Sequence, residues 1–137
     1  MPERIVVDTN VIVSATLKKH STPRKVINHI YSHSILLISP ETVKEIEEVL
    51  LRPKLDKYVH VQDRIYFFRR LIVMAVEIET TSRITDCPDA KDNKFLELAI
   101  DGRATLIISG DGDLLDMNPY RGINIISPSE FIEAHSE

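Results

Sequence analysis

The chain has 137 residues, 43% apolar and 28% charged, and at this size one domain buries about two-thirds of its unfolded surface. Seventeen Lys and Arg against twenty-one Asp and Glu leave a net charge of −4, which excludes a generally basic nucleic-acid binder but leaves room for a local basic groove. The single cysteine, Cys87, excludes an internal disulfide and a multi-cysteine zinc site, and four glycines with seven prolines exclude a collagenous or low-complexity chain. One domain, residues 1–137, is expected.

In chain order, the first predicted element is an apolar strand at 4–7, followed by helices at 11–17 and 23–33. A strand at 35–38 leads into a helix at 41–51, and a helix at 63–74 precedes a weaker strand at 75–79. A helix at 89–101, strands at 105–108 and 123–126, and a helix at 128–135 complete the series. Thr22-Pro23, Ser39-Pro40 and Ser127-Pro128 each place a hydroxyl at an N-cap and proline at the first helical position, where its missing N–H costs nothing. Glu130, three residues after Ser127, adds a capping box. The strands are continuously rather than alternately apolar, the pattern of strands covered on both faces. The pattern predicts an α/β fold, a three-layer α/β/α sandwich around a parallel sheet.

No secretory leader pattern precedes the first strand, and the longest apolar run, residues 71–76, is far short of the roughly 20 residues that span a bilayer. A cytoplasmic protein with no membrane partner is expected.

Chemistry concentrates in the acids. In open parallel sheets the functional crevice lies beyond the carboxyl ends of the strands. Asp8 directly follows Ile5-Val6-Val7, and Asp111 follows Leu106-Ile107-Ile108-Ser109-Gly110, with Asp113 two residues on. Asp92 opens a helix, with Asp89 one turn before it. Glu45 flanks the apolar face made by Val43, Ile46, Val49 and Leu50 and can face the crevice, Glu47 on the other flank stays open by geometry, and Glu48 falls nearly opposite that face and is expected in water. An acid after a strand commonly serves only as a turn or N-cap residue, and Asp89 suits a helix start without any function. Convergence of several such acids on one sheet edge points instead to a divalent metal.

Competing motifs are absent. There is no GxxxxGK[ST] or GxGxxG, and Asp111-Gly112-Asp113 lacks the glycine and glutamate of a calcium loop. His29 and His33, four apart on a helix, are expected at the surface, and Cys87 as a buried, inert thiol. A phosphoacceptor receiver would want paired acids after the first strand, yet Glu3 precedes it and Asp8 is followed by Thr9-Asn10.

These residues resemble a known family. Ile5-Val6-Val7-Asp8-Thr9-Asn10-Val11 looks like the opening of a PIN domain. Residues 45–54, Glu45 through the trailing Arg52-Pro53-Lys54, resemble its second block. Residues 87–99, around Asp89 and Asp92, resemble the third, and residues 107–115, around Asp111 and Asp113, the fourth. The subgroup most similar is that of toxin components of toxin–antitoxin systems. The resemblance implies a sheet of about five parallel strands and a metal-dependent ribonuclease. Asp8, Glu45, Asp92 and Asp111 would be its catalytic, metal-binding acids, with Asp113 as an auxiliary ligand and Asn10, Ser109 and Asp89 lining the site. Mg²⁺ or Mn²⁺ held there would bind the scissile phosphate of RNA and activate water, with no serine or cysteine nucleophile. The alternative is a PIN fold that binds RNA or protein without catalysis.

Basic pairs such as Arg24-Lys25 and Arg69-Arg70 could hold the RNA backbone, and Tyr58 and Tyr66 could stack bases, while the phenylalanines Phe67 and Phe68 suit packing. Ile65, Phe68, Leu71 and Ile72 give the 63–74 helix more apolar surface than one sheet edge needs. A homodimer or an antitoxin-binding face is therefore expected.

Overall fold

Each apolar strand sends alternate side chains to opposite faces of one sheet. The computed structural model describes residues 2–135 and contains β1 (Arg4–Val7), β2 (Ile35–Ile38), β3 (Val76–Glu77), β4 (Leu106–Ile108) and β5 (Asn124–Ile126). All pairings are parallel, in the order β3-β2-β1-β4-β5. Ile5, Val7, Leu36, Ile38, Leu106 and Ile108 point into one apolar cluster, and Val6, Leu37, Ile107 and Ile125 into the other. That two-sided burial is why the strands read as unbroken apolar runs.

Helices α1 (Thr9–Leu17), α2 (Thr22–His33), α3 (Pro40–Leu50), α4 (Val61–Met74) and α7 (Pro128–His135) supply side chains to the first cluster. Helices α5 (Asn93–Asp101) and α6 (Gly112–Leu115) serve the second. The result is the expected three-layer α/β/α sandwich with a five-stranded parallel sheet. No helix among the described residues is long and apolar enough to cross a membrane.

Several local expectations are corrected. The α2 cap is Ser21, not Thr22: its hydroxyl accepts from the Arg24 N–H at 3.2 Å, which moves Pro23 one position into the helix. Ser39 and Ser127 cap as predicted, with Thr42 closing the box of α3 and Glu130 that of α7. The helix α1 starts earlier because Asp8 itself is its cap. Likewise α4 starts at Val61 rather than at Asp63, because His60 caps it. The helix expected over 89–101 is split: a 3-10 turn at Ala90–Asp92 precedes α5. Strand β3 shrinks to two exposed residues at the sheet edge, and a 3-10 turn at Pro53–Leu55 and α6 had no periodic signal to announce them.

The apolar surplus of α4 is mostly consumed within the chain. Leu71 is fully buried, and Phe68 and Ile72 pack against the core, so this stripe no longer calls for a second copy. His29, half-buried, stacks on the exposed His33 at 4.4 Å and meets His135 and Phe131 of α7. Cys87 is buried as expected.

Two features fix the architecture around the cleft. Arg64 is wholly buried and donates to the carbonyls of Leu50, Arg52 and Val59, besides pairing with Asp56, so it pins the loop between α3 and α4. Gly102, after α5, lies so close to its surroundings that a Cβ there would be 2.6 Å from Leu37 Cδ1 and 2.8 Å from the Leu98 carbonyl. The chain begins at central β1, moves outward to β2 and β3, then returns to β4 on the other side. The order therefore reverses between β1 and β4, where a crevice opens beyond the strand ends.

Candidate metal centre

Asp8 leaves β1 at this reversal. Its Oδ1 accepts from the Val11 N–H at 2.9 Å, which starts α1, and its Oδ2 accepts from the Ser109 hydroxyl at the end of β4. The residue is 3% exposed. Burial raises its pKa against the pull of the Ser109, Val11 and Gly110 hydrogen bonds, and the charge of Asp111 adds to the rise. The N-cap reading and the functional reading of Asp8 are thus compatible: one oxygen caps while the other faces Ser109.

Asp111 leaves β4 in parallel fashion. Its N–H donates to Ser109 Oγ at 2.9 Å, and its Oδ1 accepts from the Asp113 N–H at 3.0 Å to cap α6. Asp92 arrives from the other face on the 3-10 turn before α5. Among the described residues, carboxylate oxygens of Asp89, Asp92 and Asp111 lie within 4.8 Å of one another. Asp92 Oδ2 is buried without a hydrogen-bond partner. Burial, a hydrogen bond to Asp111 and the charges of Asp111, Asp89 and Asp8 push the Asp92 carboxyl up to about 7. The hydrogen bond from Asp92 and the Asp113 N–H hold Asp111 below the ordinary carboxylate range.

Glu45 stands apart from this trio. Its Oε1 accepts from the Thr9 hydroxyl, and its Oε2 accepts from Lys94 Nζ at 2.7 Å. Burial alone would raise its pKa, but Lys94, Thr9 and Lys91 outweigh it and leave the carboxyl below its usual value.

Asp8, Asn10, Glu45, Asp89, Asp92 and Asp111 all line one cleft of about 780 Å³. Ser109 sits beneath it, fully buried. Asp113 does not line the cleft and enters the site through its backbone N–H. Glu48 is exposed as predicted, yet it lines the same cleft, because residues three apart on a helix share a face. Lys91, Lys94 and Thr9 were missed as site residues in the sequence. All three sit inside the quoted blocks, and Lys91 and Lys94 carried a usable signal, since they lie three residues apart on either side of Asp92. The acids are therefore not without cations: Lys94 answers Glu45 and Lys91 lies 3.9 Å from Asp89, while Asp8 and Asp92 have no ion-pair partner among the described residues.

This donor set fits a hard divalent cation. Three carboxylates converge, one buried oxygen lacks a partner, and one proton is retained toward neutral pH where mutual repulsion would otherwise be greatest.

Comparison with known proteins places the family and the fold. The sequence matches the PIN domain family over residues 4–113. It is 36% identical over 140 aligned positions to an uncharacterized protein of Methanocaldococcus jannaschii, covering 95% of this chain and 90% of that one. The fold is similar to VapBC2 from Rickettsia felis bound to a DNA fragment from their promoter, with a TM-score of 0.60, 11% identity, and coverage of 90% of this chain and 98% of that chain. It is also similar to a domain of a functionally unknown M. jannaschii protein, with a TM-score of 0.54, 13% identity, and coverage of 90% and 89%.

Proposed function

Because the chain belongs to the PIN-domain family, we propose that it is a metal-dependent ribonuclease and the toxin half of a cytoplasmic toxin–antitoxin pair. One observation carries the reading: the unpartnered, buried Oδ2 of Asp92, set among Asp89 and Asp111 beside Asp8. A carboxylate oxygen withdrawn from water without a donor is costly, and a cation is the simplest group that satisfies it.

Asp8, Asp92 and Asp111 would hold Mg²⁺ or Mn²⁺, with Asp89 completing the oxygen set. Such an ion supplies Lewis-acid activation of water and charge neutralisation at a phosphodiester. The chain's own residues do the rest. Ser109 fixes the Asp8 carboxylate by donating to it and the Asp111 backbone by accepting from its N–H. Asp92, whose carboxyl is held up to about 7 beside Asp111, would give up its proton where a cation was held. The ion pair with Lys94 holds Glu45 at the cleft wall as a positioning residue, while Arg52 and Lys91 offer cations to the phosphates of the strand. Asn10, exposed at the lip, supplies an amide for sugar or phosphate contacts.

The fold's likeness to VapBC2 supports a protein partner. Cleavage of a mixture of structured RNAs by the purified protein tests the enzymatic reading. Cuts that need Mn²⁺, stop with EDTA and vanish in Asp8→Asn support it, and no metal-dependent cutting in any condition refutes it.

A further inference from the structure

A second cavity, of about 700 Å³, is lined by residues that neighbour those of the acidic cleft along α1 and α2. Ser14 and Pro23 line the cleft, whereas Thr16 and Arg24 line the second cavity, so the junction of α1 and α2 separates the two. The opposite wall is α4 with the loop that precedes it. The lining here is aromatic and cationic. Tyr58 and Tyr66 are 62% and 69% exposed at the surface of the cavity. The Arg24 guanidinium lies 4.8 Å from the Phe67 ring centre, and that of Arg70 lies 5.4 Å from the Tyr31 ring. Lys19 adds another cation, and Asp63 is the one acid of the lining. In a chain of net charge −4 this is a local reversal of sign.

The Tyr31 hydroxyl is the second informative feature. It is buried and has no hydrogen-bond partner among the described residues. A hydroxyl left without a protein partner at a cavity wall takes one from a bound water or a ligand. A purely apolar peptide face would use neither the guanidinium groups nor this hydroxyl. A ligand that is polyanionic and carries flat, polar-edged rings uses all of them: cations meet phosphates, exposed tyrosines stack on bases, and the hydroxyl meets a base or sugar.

We propose that this cavity is a second binding site for single-stranded RNA, taking the nucleotides next to those in the acidic cleft. The inference rests on the nuclease reading for its choice of ligand. A strand with its phosphodiester in the acidic cleft crosses Pro23 and Arg24 to reach Tyr66 and Arg70. The site then supplies attraction for a polyanion that does not depend on a metal ion, where the carboxylates themselves repel it.

The test is fluorescence anisotropy with a short, labelled single-stranded oligoribonucleotide in Ca²⁺, across a range of salt. Tyr66→Ala is expected to raise Kd about tenfold and leave the salt dependence unchanged, since it removes stacking. Arg70→Ala is expected to raise Kd and to reduce the slope of log K against log salt by about 0.7, the loss of one single-strand phosphate contact. Arg83→Ala, exposed and outside both cavities, serves as the charge control and should change neither. Both test residues are exposed, and unchanged thermal melting confirms that the variants fold.

Unchanged Kd and slope in both variants overturn the proposal, and that is the result a protein-docking groove would give. A parent protein that binds no oligoribonucleotide overturns it equally. Cleavage in Mn²⁺ is read separately. RNA binding through Tyr66 and Arg70 without any cleavage would remove the nuclease reading and leave this site standing.

Discussion

The Ser109 hydroxyl donates to Asp8 Oδ2 while its oxygen accepts from the Asp111 N–H at 2.9 Å, so one buried side chain couples the ends of β1 and β4. Removing it in Ser109→Ala strips a donor from a buried carboxylate and leaves the Asp111 N–H without that acceptor. A loss of about 1–3 kcal/mol of stability is expected in chemical denaturation. Burial of Asp8 then acts with less opposition, so the acid limb of the cleavage profile should move to higher pH.

Metal-free protein should lose stability as pH rises from about 4 toward 7. Asp92 keeps its proton up to about 7 in the folded state, whereas its ordinary value is 3.8. Between those values the folded chain binds more protons than the unfolded one, so stability falls by up to about 1.4 kcal/mol per pH unit. Asp8, raised by burial, acts in the same direction. Glu45, Asp101 and Asp111 are shifted downward and oppose the trend only at its acid end. Thermal melts in EDTA should show the decline, and Asp92→Asn should flatten it.

Divalent metal should reverse that loss. At about a hundred times its dissociation constant, Mn²⁺ or Mg²⁺ stabilises a folded chain by about 2.7 kcal/mol. At mildly alkaline pH the melting temperature of the parent should rise accordingly, and that of Asp92→Asn should rise much less. Identical melts in excess EDTA and in Mn²⁺ would count against the site.

Much of this was legible in the sequence, for identifiable reasons. The continuous apolar strands and the hydroxyl-proline helix starts are local signals, so the layer order and most elements followed from them. The clustering of Asp8 with Asp111 follows from parallel strands ending at the same sheet edge. What escaped was non-local or too short to be periodic. Glu45 pairs with Lys94 across two helices 49 residues apart in sequence, a contact that helical-wheel reasoning about α3 alone cannot see. The same reasoning placed Glu48 opposite the apolar face, which is correct, but it overlooked that the cleft occupies the flank next to that face. The capping role of Ser21 was hidden because Thr22, beside the proline, has the same chemistry.

Gly102 should resist substitution for packing rather than backbone reasons. A Cβ at 2.8 Å from the Leu98 carbonyl cannot be relieved by turning a side chain, although the Leu37 methyl at 2.6 Å could move. Gly102→Ala is expected to destabilise the fold by about 1–3 kcal/mol in chemical denaturation.

Catalysis and binding should separate at Asp8. Asp8→Asn keeps the shape of the side chain and an oxygen able to accept from Val11, but removes the charge from the proposed metal site. Cleavage should fall by about a hundredfold or more while the fold survives. RNA affinity measured in Ca²⁺ should change far less than the rate, because the strand is also held by cations outside the carboxylate cluster. Glu45→Gln should lower the rate by a smaller factor, roughly tenfold, since it breaks the pair with Lys94 and leaves that ammonium half-buried. Glu47→Gln, exposed on the same helix and outside the cleft lining, is the proper control and should cleave at the parental rate. Parental rates from Asp8→Asn would place the activity in another site or another protein.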